Sequence, residues 1–528
     1  MVVSAHPIAS EVGLEIIAKG GNAADAAIAV QMALAVVYPS AGNIGGGGFL
    51  VYRPSDGETN TLDFREKAPK AAHENMYIDS SGKVIDNLSL VGHMAIGVPG
   101  TVDGMVEIHK KYGSLSWEQL IQPAISLAEN GFALTKKEAR NLNYFNNNKV
   151  VNQNCENPYY SESYEEGDSL ILIDLSKTLT AIKNNKKQGF YNGWVADKMI
   201  DEISSNGGII NHDDLANYKS VWRKPIVSNY KNYKVISMGP PSSGGVLLAQ
   251  MLEMISHYPV EKWGFHSKKT IHLMAEIERR AFADRSEHLA DPDFYEIQFL
   301  SLLDSLYLFE RIGDINFNNA TLSSTIFPGE FISHESDETT HFSIVDNQGN
   351  AASITTTLNA SYGSGVIVSG AGFLLNNEMD DFSIQPGYPN LYGLIGGQAN
   401  AIQSEKRMLS SMTPTILEKN GELFMVLGSP GGSTIITAVF QTILNVIEFG
   451  MSMDSAVNVT RFHHQWLPDQ IKLESEMAKD SILINELKAL GHDIKLTGSM
   501  NRVDAILVDN GSLYAGADQR GDDCAKRF

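Results

Sequence analysis

The chain has 528 residues, a length that suits either one large multilayer core or several ordinary domains. It is 43% hydrophobic and 20% charged, which is the composition of a globular protein. Lysine and arginine number 41 against 62 aspartates and glutamates, so the formal net charge is −21. So acidic a surface repels nucleic-acid phosphates and anionic lipids, which argues against binding either as the main function. Any anion site must therefore be built locally.

Two cysteines, Cys155 and Cys524, are too few for a disulfide framework or a structural zinc site. No stretch reaches the roughly 18 to 20 apolar residues of a membrane helix, since the best candidate, 26–37, is short and contains Gln31. Polar residues at 4–7 stand where a secretory signal would be apolar. We therefore expect no membrane span, and a chain that is either cytoplasmic or begins after a removed signal.

Two helices are predicted at the start of the chain. The first carries one apolar stripe, formed by Ile8, Val12 and Ile16. Two glycines at 20–21 are placed to end this helix in a left-handed conformation. Asn22 is then placed to cap a second, alanine-rich helix that runs to about Val37.

Four β-hairpins are predicted where turn residues separate β-rich runs. They pair 49–52 with 59–64, 341–346 with 351–357, 415–417 with 423–427, and 505–508 with 513–514. Later helices are predicted over 245–257, over 269–288 and from about 433 to 448. Because hairpins and helices come in blocks rather than in alternation, the pattern favours an α+β fold with stacked antiparallel sheets and outer helices.

Three glycine clusters are candidates for binding phosphates or other anions. Residues 45–48 precede a strand rather than a helix, which does not fit a dinucleotide-binding fingerprint. Residues 429–434 follow a strand and open a helix but lack the lysine of a P-loop. Their amides could form an oxyanion pocket, or the segment could be only a tight turn. The third cluster, 393–397, lies in a long loop that is either a lid or irregular.

Other polar residues are ambiguous when each is taken alone. Adjacent His463 and His464 diverge on any regular element, so a packing role is favoured and no metal site is predicted. Arg65 follows a strand, and the acidic segment 376–381 could bind an amine or cap a helix. Thr339 opens a strand, which ordinarily reflects β-propensity alone. The residues by themselves indicate an acidic layered protein with pockets and no particular reaction.

Several ordered motifs along the chain carry a family resemblance. They are residues 20–27, 41–49, 63–66, 240–245, 339–341, 376–382, 428–432 and 514–517. Together they resemble the γ-glutamyltranspeptidase (glutathione hydrolase) family of N-terminal-nucleophile hydrolases. The resemblance implies a four-layer αββα sandwich and a precursor that cuts itself between Glu338 and Thr339. The products would be a large subunit, 1–338, and a small subunit, 339–528, which stay together as a heterodimer.

The resemblance also implies a role for each candidate residue. Thr339 becomes the new N-terminus and the nucleophile, because its freed α-amine, with a pKa near about 8, can take the proton of its hydroxyl. Thr357 would orient that hydroxyl, and the amides of Gly431 and Gly432 would form the oxyanion hole. Arg65, Ser410 and Ser411 would bind the substrate's α-carboxylate. Its α-ammonium would be bound by Asn359, Glu378 and Asp381. Tyr392 would belong to the lid over the bound γ-glutamyl group.

The implied activity is transfer of a γ-glutamyl group from glutathione or a related compound to water or to an amino-acid or dipeptide acceptor, without a cofactor or metal. Two alternatives stay open: a glutaryl or cephalosporin acylase of the same fold, and a non-catalytic amino-acid-binding protein. The acylase is disfavoured because its substrates have no α-amine for Glu378 and Asp381 to bind. Met408 departs from the proline that the family commonly has there. A periplasmic or extracellular location is inferred from the family alone.

Overall fold

The computed structural model describes residues 1–148, 158–159, 163–327, 339–385 and 398–527. Its strands are, in chain order, β1 (Val2–Ser4), β2 (Gly47–Arg53), β3 (Asn60–Asp63), β4 (Phe132–Ala133), β5 (Ser169–Leu170), β6 (Val221–Arg223), β7 (Ile226–Tyr230), β8 (Tyr233–Ser237), β9 (Thr340–Val345), β10 (Ala351–Thr357), β11 (Thr415–Lys419), β12 (Glu422–Gly428), β13 (Phe462–His463), β14 (Ile471–Glu474), β15 (Ile494–Thr497), β16 (Asp504–Asp509), β17 (Ser512–Gly516) and β18 (Cys524–Lys526).

The helices are α1 (Pro7–Ala18), α2 (Ala23–Val37), α3 (Thr101–Tyr112), α4 (Trp117–Asn130), α5 (Lys136–Asn147), α6 (Ile173–Asn185), α7 (Gln188–Tyr191), α8 (Gly193–Ser205), α9 (His212–Ala216), α10 (Gly244–Ser256), α11 (Val260–Trp263), α12 (Lys268–His288), α13 (Phe299–Leu302), α14 (Ser305–Arg311), α15 (Thr434–Ile447), α16 (Met453–Asn458) and α17 (Ser481–Ala489). In the part of the chain that is described, no helix has both the length and the apolar character needed to cross a membrane.

Two antiparallel sheets form the middle of the molecule. The first has the strand order β18-β1-β9-β10-β2-β3-β6 and the second the order β17-β16-β12-β11-β8-β7. Strand β9 packs against β12 and β16 of the other sheet. Helices α1 and α2 cover the outer face of the first sheet, and α10 and α15 cover the outer face of the second. The predicted four-layer αββα sandwich is confirmed.

Side chains alternate along β9, so this strand contacts both the outer helices and the second sheet. Phe342 and Ile344 point to the outer helices and join their apolar core. Between them, Ser343 points to the second sheet, where its hydroxyl donates to the carbonyl of Asp504 at 2.9 Å. On β10, the hydroxyl of Ser353 donates in the same way to the carbonyl of Leu427, also at 2.9 Å. Hydrogen bonds as well as apolar contacts therefore fix one sheet against the other.

His341 lies between the two sheets. Its Nδ1 is 2.9 Å from the hydroxyl of Thr355, and its Nε2 is 3.1 Å from that of Ser343. Burial lowers the pKa of His341 to about 3, so the ring is neutral at pH 7. The ring packs against Gly428, where an added Cβ would stand 2.4 Å from its Cε1 atom. Only a glycine leaves room for the ring at that point.

The predicted helices and hairpins near the N-terminus and around the sheets are confirmed. Gly20 has a φ of 93°, which ends the first helix as expected. Asn22 caps α2, accepting hydrogen bonds from the amides of Ala24 and Asp25, and the Asp25 carboxylate accepts from the Asn22 amide in return. The four predicted hairpins are the pairs β2–β3, β9–β10, β11–β12 and β16–β17. The short strands β1 and β18 were not predicted.

Replacing Gly428 with alanine should destabilise the protein, because the new methyl group meets the His341 ring. Overpacking of this kind typically costs about 1 to 3 kcal/mol. We expect a lower Tm for Gly428→Ala in thermal unfolding. Gly498→Ala is the matched control, since a Cβ there meets no atom within 4 Å. Equal Tm values for the two variants would show that the sheets can separate to admit a methyl group.

Candidate active site

The start of β9 fixes the position of Thr339. This residue immediately precedes the strand and is 5% exposed. Thr340 pairs with Thr356 of β10, and the same antiparallel register brings Thr357 beside Thr339. Thr339 also lines a cavity of about 260 Å³ together with Gly431. A buried hydroxyl residue at a strand start therefore faces both a second threonine and the glycine turn.

Two asparagines hold the end of β10. Asn43 donates from Nδ2 to the carbonyl of Thr357 at 2.9 Å and to the hydroxyl of Thr356 at 3.1 Å. The backbone amide of Asn359 donates to Thr357 Oγ1 at 2.7 Å. Asn359 has a φ of 71°, a left-handed conformation that asparagine tolerates better than most residues. The Thr357 hydroxyl is thus held within a turn.

The glycine turn after β12 leads directly into α15. Gly431 has a φ of 119° and Gly432 a φ of 55°. The first of these values is strained for any residue with a Cβ, which explains the need for glycine. The side chain of Asn501 steadies the turn by donating to the carbonyl of Pro430 at 3.0 Å. Strand, turn and helix follow one another as predicted, and the turn is adjacent to Thr339.

Arg65 is the centre of a buried ionic cluster. Its guanidinium donates to the carboxyl groups of Glu378 and Asp381, and all three side chains are almost fully buried. It also donates to the carbonyls of Met408 and Leu409, at 3.4 and 3.3 Å. The structure therefore brings residues predicted for opposite ends of an amino acid into direct contact with one another.

A third acidic residue, Glu66, adjoins this cluster. Its Oε2 lies 3.5 Å from Arg65 Nη1, and neither of its oxygens accepts a hydrogen bond from the described residues. Burial raises the pKa of Glu66 to about 8. Burial, and secondarily the negative charge of Glu66, also raises the pKa of Glu378 well above its ordinary value. Both shifts favour the neutral, protonated forms of these two acids, whereas Asp381 contacts the guanidinium directly.

Hydrogen bonds join the ionic cluster to the end of β10. Asn359 Nδ2 donates to the carbonyl of Asn377 at 2.9 Å, and Asn377 precedes Glu378. On the other side, Asn400 donates to the carbonyl of Asp381 at 2.7 Å and accepts from the amide of Leu409 at 3.1 Å. The amide and carboxyl groups predicted to bind substrate thus form one connected network with Thr357.

The remaining predicted residues have varied surroundings. Ser410 donates from its amide to the carbonyl of Pro241 at 2.8 Å, and Ser411 is buried next to it. His463 and His464 are buried; the first is hydrogen-bonded to Thr437, and the second lies 3.2 Å from Asp469, as expected of packing residues. Glu338 and Tyr392 lie outside the described residues.

The described residues contain one group with the composition of a metal site, formed by His272, Glu276 and His492. Its ligand atoms already have partners, because both Glu276 oxygens bind Arg279 or Arg280. Nδ1 of His272 is 2.7 Å from Nε2 of His492. Two neighbouring guanidinium groups make this a poor place for a further cation, so the group is best described as an internal hydrogen-bond and ion-pair network.

Three residues of the site were not recognised from the sequence. Glu66 and Asn43 belong to segments that carried the resemblance, 63–66 and 41–49, yet neither was given a role. Asn400 lies just after the long glycine-containing loop and was not singled out. Asn43 and Asn400 act through contacts with residues that are well separated in sequence, so a local pattern could not reveal them. The adjacency of Glu66 to Arg65 was the only available signal.

Comparison with known proteins identifies the family. A family model described as Gamma-glutamyltranspeptidase matches residues 9–528. The chain belongs to the γ-glutamyltranspeptidase family. It is similar to the glutathione hydrolase proenzyme of Escherichia coli (strain K12), with 43% identity over 527 residues that cover 99% of this chain and 90% of that protein. The chain is therefore an acyl-transferring enzyme of the N-terminal-nucleophile class.

Solved structures agree with this family and with the observed fold. Cephalosporin acylase from Bacillus halodurans has a TM-score of 0.87 at 25% identity, and the match covers 100% of this chain and 96% of that chain. The γ-glutamyltranspeptidase of Helicobacter pylori has a TM-score of 0.60 at 44% identity, covering 62% of this chain and 94% of that chain. The αββα architecture is thus shared with two different acyl-transfer activities.

The unusual protonation of Glu66 makes a prediction about stability. A raised pKa means that the folded protein keeps a proton that the unfolded chain releases above about pH 4.5, so this contribution to stability declines as pH rises from about 4.5 to about 8. Glutamine cannot ionise. We therefore expect Tm to fall less for Glu66→Gln than for the unmodified protein between pH 5 and pH 8.

The measurement is thermal unfolding at four pH values across that range. The exposed residue Glu58 provides a control, because Glu58→Gln should follow the unmodified protein. Parallel curves for Glu66→Gln and the unmodified protein would show that Glu66 is ionised in the folded state.

Proposed function

We propose that the chain is a γ-glutamyltransferase and glutathione hydrolase that activates itself by cleavage between Glu338 and Thr339. The observation that carries this proposal is the pairing of one buried guanidinium with one buried carboxylate, Arg65 with Asp381, in a network continuous with Thr357. Such a pair is complementary to the two charges of an amino-acid zwitterion. The names of the curated relatives, glutathione hydrolase proenzymes, support glutathione as a donor.

Self-cleavage would begin with attack of the Thr339 hydroxyl on the carbonyl carbon of Glu338. The peptide C–N bond breaks, the nitrogen takes a proton and becomes the α-amine of Thr339, and an ester joins the two residues. Water then cleaves this ester to give the carboxylate of Glu338 and the free hydroxyl of Thr339. The large subunit, 1–338, and the small subunit, 339–528, result. Because the amine exists only after this step, the uncut chain lacks the base needed for turnover.

In the catalytic cycle the amine of Thr339 accepts the proton of its own hydroxyl as the oxygen attacks the γ-carbonyl of the donor. The amides of Gly431 and Gly432 would stabilise the oxyanion, a role supported by the adjacency of Gly431 to Thr339. The amine then protonates the departing nitrogen, leaving a γ-glutamyl ester on Thr339. Water or the amine of an acceptor takes the acyl group in the reverse sequence. No cofactor or metal is needed for this chemistry.

Substrate recognition would exchange internal ionic contacts for contacts with the donor. The α-carboxylate of the γ-glutamyl group binds the guanidinium of Arg65, beside Ser410 and Ser411. The α-ammonium binds Asp381, Asn359 and Glu378. The raised pKa values of Glu66 and Glu378 favour their neutral forms, which would keep the pocket close to neutral both when it is empty and when it holds the zwitterion. Tyr392 is proposed to belong to a lid over the bound γ-glutamyl group.

A glutaryl or cephalosporin acylase is the second candidate, favoured by the similarity to the Bacillus halodurans enzyme. A glutaryl side chain lacks the α-ammonium and would leave the carboxyl group of Asp381 buried against no added cation. We place it second for that reason, and an amino-acid-binding protein without activity third. Secretion to the periplasm or the exterior, which family membership suggests, is also proposed here and can be tested by cell fractionation.

The processing proposal predicts that Thr339→Ala remains a single chain, because alanine has no hydroxyl to attack Glu338. The purified unmodified protein should give two chains on a denaturing gel, of 338 and 190 residues (528 − 338 = 190). Thr340→Ala is the matched control and should still be cut, since the Thr340 hydroxyl is buried without a hydrogen-bond partner in the described structure. Cleavage of Thr339→Ala at the same bond would refute the mechanism.

The charge assignment predicts opposite outcomes for two neighbouring acids. Glu378→Gln should keep kcat/KM on a γ-glutamyl anilide within about threefold, because glutamine resembles the protonated acid. Asp381→Asn should lose roughly ten- to a hundredfold, the effect of a hydrogen bond to a charged group worth about 1.5 to 3 kcal/mol.

A glutaryl anilide, which lacks the α-amine, distinguishes the two candidate functions. The unmodified enzyme should hydrolyse it much more slowly than the γ-glutamyl anilide. Asp381→Asn should reduce that preference. Equal rates on the two anilides in the unmodified enzyme would favour the acylase, and equal losses in the two variants would show that Glu378 is charged.

A further inference from the structure

The cavity beside Thr339 extends away from the ionic cluster toward the C-terminal segment. Apart from Pro430 and Gly431, its described lining is polar, and it includes three basic residues, Lys137, Arg502 and Arg520. None of the described lining residues is an aspartate or a glutamate. In a chain with 62 acidic and 41 basic residues, a cavity next to the candidate nucleophile whose described charged lining residues are all basic calls for an explanation.

Both arginines form ion pairs with carboxylates that do not line the cavity. Arg502 donates to Asp523 at 3.0 Å and to the hydroxyl of Tyr38 at 2.8 Å. Arg520 binds Glu474 through two hydrogen bonds, at 2.8 and 2.7 Å, and also contacts Asp518. These contacts hold the guanidinium groups in place. They also cancel much of the positive charge that the arginines would otherwise direct into the cavity.

Lys137 is different. It is half-buried near the start of α5. Among the described residues its Nζ forms no ion pair with a carboxylate and donates only to the carbonyl of Arg520, at 3.3 Å. Burial, and then the nearby charge of Arg502, lowers the pKa of Lys137, and the charges of Asp523 and Asp522 offset only part of this shift. A partly desolvated ammonium next to a guanidinium is a site that an added anion would stabilise.

The start of α5 is well fixed, so this ammonium is not at the end of a loose loop. The Thr135 hydroxyl caps the helix by accepting from the amide of Glu138, and it donates to Asp522 at 2.8 Å. Asn141 lies one helical turn beyond Lys137 and lines the same cavity. One face of α5 therefore forms a polar wall opposite Thr339 and Gly431.

The chemistry of the reaction supplies a matching anion. When a γ-glutamyl peptide is the donor, its leaving group is an amine that ends in a carboxylate, and amino-acid or dipeptide acceptors have the same two groups. A dipeptide spans at most about 7 Å. A sphere with the cavity's volume of about 260 Å³ is about 8 Å across. An amine at Thr339 can therefore coexist with a carboxylate at the far wall.

We propose that this cavity binds the leaving group and the acceptor, and that Lys137, beside Arg502, binds their carboxylate. The assignment rests on the γ-glutamyl transfer proposed above, and it adds the residue that selects peptides and amino acids over other amines. Lys137 would act in binding, without touching the reacting atoms.

The test compares glutathione with its C-terminal carboxamide, which differs only in the missing negative charge. The processed enzyme should prefer glutathione in kcat/KM by roughly ten- to a hundredfold, mainly through KM, as expected for a hydrogen-bonded ion pair. Lys137→Gln should reduce this preference to about threefold or less. Lys137→Arg should keep most of it. Lys136→Gln, which changes an exposed lysine on the same helix, should match the unmodified enzyme.

A γ-glutamyl anilide, whose leaving group has no carboxylate, separates failure of this proposal from failure of the proposed function. If the unmodified enzyme does not hydrolyse the anilide, the function is wrong. If it does, but shows no preference between glutathione and the carboxamide, the carboxylate site is refuted. The site is also refuted if Lys137→Gln keeps the preference for glutathione over the carboxamide, or if this variant lowers kcat/KM equally for all three substrates. Should Lys137→Gln fail to process, Lys137→Met, which also removes the charge, takes its place with the same expected outcomes.

Discussion

The antiparallel pairing of β9 with β10 is the constraint on which the candidate active site depends. It places Thr339 at the open end of a central strand and aligns it with Thr357, while the hydroxyl groups of Ser343 and Ser353 fix that strand pair against the second sheet. The neutral ring of His341 fills the space between the sheets just beyond the nucleophile. A buried and immobile strand gives a weakly nucleophilic hydroxyl a defined position.

The second requirement is that the charges around Arg65 balance one another, because an unpaired charge is costly in a buried pocket. Three acidic side chains surround one guanidinium, and burial raises the pKa of two of them, Glu66 and Glu378, which favours their neutral forms. This arrangement converts an acidic cluster into a neutral pocket with one positive and one negative position. It explains how an enzyme can bury an amino-acid zwitterion without burying an unpaired charge.

The fold was largely predictable from the sequence, whereas the inner connections of the site were not. Turn residues such as Asn420-Gly421 and the cap Asn22 act locally, so their hairpin and helix could be read directly. The family resemblance supplied Arg65, Glu378 and Asp381. It assigned them to opposite ends of a substrate, however, and did not indicate that they bind one another. Asn43 and Asn400 bind residues that are well separated from them in sequence, and Glu66, although adjacent to Arg65, comes near Glu378 only in the folded structure.

The strand order has a consequence for the two products of the proposed cut. In the first sheet, β18, β9 and β10 come from the segment after residue 338, and β1, β2, β3 and β6 from the segment before it. The second sheet is divided in the same manner, with β7 and β8 beside four strands of the later segment. The two products would be interleaved through shared hydrogen-bond ladders rather than docked across a surface. Exchange of one product between molecules would require both sheets to unfold. The two subunits cut from one precursor would therefore stay together for as long as the molecule remains folded.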